Sequence, residues 1–164
     1  MPISYLNICI AEQKLLYTKE KSSNPVIIMT ILGTNFTKIL VEKTGIAKGK
    51  VSISNNVSIE KVDPTEVAIG AAKQSGLRFS FEFTAKYEPK IGSIVLNGDL
   101  VMMEKADKVK QIADEWKKTK KVPKEVMAPI LNNVLTKCNI EALVLSREIG
   151  LPPPVQLPRV TVKK

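Results

Sequence analysis

Six apolar residues at every second position, Leu77, Phe79, Phe81, Phe83, Ala85 and Tyr87, alternate with Arg78, Ser80, Glu82, Thr84, Lys86 and Glu88. A period of two sustained this long puts one face of a strand on a core and the other in water. It commits the chain to an antiparallel sheet with one face that must be roofed. Pro89 and Gly92 stop the ladder, and Ile94, Leu96, Leu100 and Met102 bring it back as a returning strand. Asn97-Gly98 is itself a hairpin signal, but the alternation runs on past Gly98, which favours the longer strand.

Upstream, Phe36, Ile39 and Val41 lead into a turn at Thr44-Gly45. Val51, Ile53, Val57 and Ile59 then alternate with polar residues as a half-buried strand. Asn55-Asn56 marks a candidate bulge, since asparagine tolerates left-handed backbone angles. From Asp63-Pro64 to Gln74 neither period settles, and the stretch reads as a connection with one helical turn begun at Asp63. After Met103 the spacing changes to three and four: Ala106, Val109, Ile112, Ala113 and Trp116 predict an amphipathic helix. A second helix carries Val126, Ile130, Val134, Cys138, Ala142, Leu145 and Ile149, with Pro129 near its start and Gly150 just past its end. Pro152, Pro153 and Pro154 force an extended backbone and open an arm that is apolar at Val155, Leu157, Val160 and Val162. The order predicts an α+β fold, an antiparallel sheet of about four long strands packed with two C-terminal helices. Residues 1–28 read as an appended, weakly ordered segment ahead of a domain at 29–164; the alternative is an edge strand from Ile8 to Tyr17.

With 164 residues, 44% of them apolar, the chain can build one core without a staple. It has no histidine, which excludes histidine-based nucleophile pairs, a histidine general base and histidine metal ligands. Two cysteines alone cannot complete a four-ligand zinc site. No metal or cofactor is expected, and an enzyme has almost no support. Cys9 and Cys138 read as reduced thiols of a soluble cytoplasmic protein. Apolar runs reach only four or five residues (Val26 to Met29 among them), against roughly 20 for a bilayer span.

No phosphate-loop or dinucleotide pattern is present. Glu82 and Glu88 share a strand face with Arg78 and Lys86, which reads as a charge-compensated solvent face rather than a catalytic pair. The net charge is +9. Its densest patch is Lys117, Lys118, Lys120, Lys121 and Lys124, which reads either as a solvated helix end or as a phosphate-contacting surface. Trp116 and Cys138 lie on apolar stripes and read as core. Phe79, Phe81 and Phe83 read as core of the sheet; on an oligomer surface they would line a groove instead.

The stretch 36–162 resembles the SecB-type protein-export chaperones, and its wording is similar to archaeal relatives of that family. The resemblance is carried by Val51-Ser52-Ile53, the Asp63-Pro64 connection, the 77–87 strand with its return, the 126–149 helix and the tail Gly150-Leu151-Pro152-Pro153-Pro154-Val155-Gln156-Leu157-Pro158-Arg159-Val160. It implies a homo-oligomer, dimer or tetramer, that holds unfolded polypeptides in apolar grooves without ATP. Phe79, Phe81, Phe83, Tyr87, Leu157 and Val160 are then the candidate client-binding residues. Bacterial members are acidic, whereas this chain is basic and keeps Glu82, Glu88 and Asp99 around the equivalent strands. The alternative function is a basic ribosome- or RNA-associated protein, acting through the 117–124 lysines.

Overall fold

The computed structural model describes residues 30–46, 49–69 and 72–157. Within them β1 (Thr30–Lys43), β2 (Ser52–Ile69), β3 (Ala72–Glu88) and β4 (Gly92–Met103) form one antiparallel sheet in the order β1-β4-β3-β2. Two helices follow, α1 (Ala106–Thr119) and α2 (Lys124–Glu148). This is the α+β architecture the alternation predicts. The appended segment 1–28, the alternative strand from Ile8 to Tyr17, and Val160 lie outside the described residues.

The two strands with the cleanest alternation, β3 and β4, take the centre, where both neighbours are paired. Their inward residues are fully buried: Leu77, Phe79, Phe81, Phe83, Ala85 and Tyr87 from β3, with Ile94, Leu96, Leu100 and Met102 from β4. The roof over that face is α1, lying against β2 and β3, and α2, lying against β1, β3 and β4. α1 contributes Val109, Ile112, Ala113 and Trp116, and α2 a stripe at every fourth residue, Ile130, Val134, Cys138, Ala142 and Ser146. Thr34 of β1 donates to Asn133 Oδ1 of α2 at 2.9 Å, fixing the helix over the edge strand. Neither helix covers the opposite face, whose residues are mostly half-buried. There Ser80 donates to its cross-strand neighbour Asp99 at 2.6 Å and Asn97 to Glu82 at 3.0 Å.

Gly98 sits in the middle of β4, not in a turn. It is opposite Phe36 of β1 on one side and Phe81 of β3 on the other. The two rings meet edge to face, centroids 6.3 Å apart and planes at 78°, a favourable aromatic geometry. A Cβ on Gly98 would strike the Asn35 carbonyl and come within 2.7 Å of the Phe81 ring. The glycine is there to let two rings close over the strand, which is why Asn97-Gly98 does not turn.

Three expectations are corrected. The stretch from Asp63 onward is not a connection with a helical turn: β2 runs unbroken from Ser52 to Ile69. Pro64 is tolerated because β2 is an edge strand among the described residues, the place in a sheet that admits proline. The bulge is not at Asn55-Asn56, which keep regular register opposite Ala85 and Thr84, but between Ile59 and Lys61. The extra residue swaps the inward parity from odd positions to even ones, Val62 and Pro64 pairing with Phe79 and Leu77, and so hides the period. Finally, Pro129 lies in the second turn of α2, which begins at Lys124, so its missing N–H falls past the free donors of the helix start.

Burial raises two titrations. Desolvation pushes the Cys138 thiol from 9.0 up to about 12, and the Tyr87 phenol from 10.0 to about 12, with Ser146 pulling slightly the other way. The Tyr87 hydroxyl makes no hydrogen bond of good geometry, and Ser146 donates its own proton to the Leu143 carbonyl at 2.8 Å. Both groups are neutral in the fold and lose protons more readily when unfolded. Their contribution is therefore complete at or below pH 8 and is lost as the pH rises from about 9 toward 12. At pH about 10.5 the thiol alone costs about 2 kcal/mol. Urea midpoints should fall between pH 8 and 10.5, and Cys138→Ala should flatten most of that fall; a flat profile for the parent chain would contradict the burial.

Candidate functional site

The sequence-predicted ring residues do not form an open site in this chain. Phe79, Phe81, Phe83 and Tyr87 are each 0–1% exposed, because the inward face of the sheet is the face the two helices roof. They are core in this chain. Leu157 is different: it is 49% exposed and lines a groove.

That groove is made by the way α2 ends. Gly150 takes φ +65°, a left-handed angle glycine adopts without strain. Lys43 of β1 donates to the carbonyls of both Ile149 and Gly150 at 3.0 Å, placing a cation on the negative end of α2. Leu151 is buried and donates its N–H to the Ser146 carbonyl at 2.8 Å. From this anchor the proline run crosses from the β1 side of the sheet to the β2 side. Asn55 Nδ2 of β2 donates to the Pro154 carbonyl at 3.0 Å and pins it there, with Pro154 itself buried.

Between this strap and the sheet lies a cavity of about 960 Å³, lined by Val51 and Ile53 on one wall and by residues 152–157 on the other. Its size is in the range of sites that take a small ligand or a few residues of chain. Val51 and Ile53 are half-buried, the proline wall is stiff, and three prolines supply carbonyl acceptors with no N–H donors. The groove lies against the inward-facing residues at the start of β2, and β2 is an edge strand, unpaired on its outer side among the described residues. The edge is regular over residues 52–59, before the bulge, Lys61 and Pro64 interrupt it. Bulges, lysines and prolines are the devices that blunt an edge strand. Here the unblunted part is the part beside the groove.

The groove residues Asn55 and Lys43 were missed from sequence. Asn55 did leave a signal: it is the one polar residue on the inward parity shared by Val51, Ile53, Val57 and Ile59. A polar group there needs a partner. Lys43 left none, since its role depends on where α2 ends in space. The five lysines at 117–124 are all exposed, and Trp116 beneath them is buried. Cys138 is a free, buried thiol; Cys9 lies outside the described residues. No helix among the described residues is long and apolar enough to cross a membrane.

No protein-family model matches the chain, and no curated protein matches it at a significant level. Among solved structures it is similar to a SecB-like chaperone of Mycobacterium tuberculosis in complex with a ChAD peptide from an antitoxin. The two share 10% sequence identity over 83% of this chain and 93% of that one, with a TM-score of 0.44.

Proposed function

We propose that this chain is an ATP-independent holdase that binds extended apolar segments of unfolded polypeptide in the groove between β2 and residues 152–157. The observation that carries the reading is a coincidence of place: the groove of about 960 Å³ is walled by Val51 and Ile53, at the start of the regular stretch of the edge strand β2. A client segment added to that edge would make backbone hydrogen bonds to β2. Its alternate side chains would drop toward Val51, Ile53 and Leu157. Backbone pairing is indifferent to sequence, which suits a protein that meets many clients. Burial of client side chains supplies the affinity, at about 25 cal/mol per Å² of apolar surface.

The same reading includes self-association, because β1, the other edge of the sheet, is also unpaired among the described residues. β1 exposes Ile39 (48%), and α2 exposes Ile140 (61%) and Val144 (44%). A second copy covering β1 and α2 would bury these and leave the β2 groove free. Protein export is the setting that the sequence resemblance implies for such a holdase.

Two measurements test the reading. At a several-fold molar excess the chain should suppress light scattering from a chemically unfolded test enzyme without added ATP, and absence of suppression would refute it. Light scattering at micromolar concentration should give a mass above the 18.1 kDa of one chain; a monomer mass would remove the self-association.

A further inference from the structure

The corner where α1 hands over to α2 carries five lysines within eight residues: Lys117, Lys118, Lys120, Lys121 and Lys124. The ion pairs among the described residues lie elsewhere, at Lys61–Asp63, Lys73–Glu66, Lys108–Glu104 and Arg147–Glu148. Asp114, Glu115 and Glu125 flank the corner without pairing to it, and the excess there is positive.

Helix electrostatics explains only part of this charge. Lys117 and Lys118, in the last turn of α1, offset the negative end of that helix. Lys121 lies beyond it. Lys124 is the first residue of α2, where the positive end of the helix repels a cation, and Pro123 at the cap offers no side-chain acceptor. A charge placed against local stability points to a use outside the fold. Lys120 is held in the left-handed region at φ +55°, with Nζ 5.5 Å from the centre of the Trp116 ring. The Lys121 N–H is tied to Thr119 Oγ1 at 3.2 Å. The corner is therefore a shaped display of cations.

What the corner lacks narrows the partner. Its one aromatic, Trp116, is buried and has Lys120 over its ring, so no base can stack there. It has no arginine to make a bidentate contact with a base edge. Point-charge contact with regularly spaced phosphates remains. We propose that the α1–α2 corner binds the phosphate backbone of a nucleic-acid duplex without reading its sequence. The corner uses none of the groove residues, so this proposal and the holdase reading stand or fall separately.

The test is fluorescence anisotropy of the full chain with a labelled RNA duplex of about 20 base pairs and the DNA duplex of the same sequence. Both should bind with similar affinity. Three to five phosphate contacts give a log–log salt slope of about −2.7 to −4.5, a weakening of about 40- to 500-fold between about 50 and 200 mM salt. K117Q/K118Q/K121Q/K124Q, which leaves Lys120 on Trp116, should weaken binding at least about twentyfold at the lower salt and flatten the slope to near −1. Its suppression of aggregation should match the parent chain, and its urea midpoint should fall only slightly, by the loss of the Lys117 and Lys118 charges at the end of α1. The proposal is overturned if the parent binds neither duplex. It is equally overturned if the variant binds as the parent does, the charge then residing in Arg159, Lys163 and Lys164, or if phosphatidylglycerol vesicles are bound more tightly than either duplex.

Discussion

Phe81→Ala should lower the stability of the fold by about 4 kcal/mol, in the range for a large ring removed from a closed core. Phe81 is 1% exposed, and it packs against Phe36 across Gly98, a position in the middle of β4 that has no side chain. Gly98→Ala should cost about 3 kcal/mol or more, for the opposite reason. Its methyl group would meet the Asn35 carbonyl, which is backbone and cannot swing away, and the tip of the Phe81 ring at 2.7 Å. Because one of the two obstacles is Phe81 itself, the double variant should be less damaged than the sum of the singles by about 1–2 kcal/mol. Urea unfolding of the four chains measures this directly. Strict additivity would mean that the ring and the glycine do not share the space argued for them.

The same pair of positions illustrates what sequence can reveal. Strict alternation from Leu77 to Tyr87 was legible because β3 is central and unbulged, so every odd position meets the same core. The two helices were legible because the roof they form imposes a single buried stripe on each. β2 was legible only up to Ile59. A bulge of one residue moved the inward parity from odd to even, and Val67, which would have continued the pattern, falls on the other parity. Pro64 then looked like a breaker, since nothing local distinguishes an edge strand from a central one. Edge status is set by which strands pair, and pairing is a property of the whole sheet.

The candidate site was less legible than the fold, for a related physical reason. Aromatic residues attract a binding interpretation, yet in β3 they are the side chains that fill the sheet–helix interface. The groove is built instead from a polar residue on an apolar parity, Asn55, and from prolines whose value is stiffness rather than contact area. Among the described residues, Leu157 is the one predicted client contact that lines it. The two proposed surfaces divide the chemistry of the chain: backbone pairing and apolar contact at the β2 edge, and unpaired cations at the α1–α2 corner. A holdase with a weak, salt-sensitive hold on a nucleic-acid backbone would be concentrated near that polymer while its groove stayed available.

A chain ending at Leu151 should lose its suppression of aggregation by more than about tenfold while keeping its helices and most of its stability. Leu151 is buried and closes the end of α2 through its N–H to Ser146, so the anchor survives the cut. What is removed is the outer wall of the groove, together with the hydrogen bond from Asn55 to Pro154. Loss of Pro154 from its buried seat costs about 1–2 kcal/mol, visible as a modest fall in the urea midpoint. Two point variants separate the wall from the rest of the tail. Leu157→Asp places a charge where a client side chain would pack, at a position 49% exposed, and should weaken holding several-fold with no change in the midpoint. Asn55→Ala frees the strap and should weaken holding less, because prolines keep the segment extended without the bond. Full activity in the shortened chain, or in Leu157→Asp, would move client binding off this groove, whatever the fate of the strap.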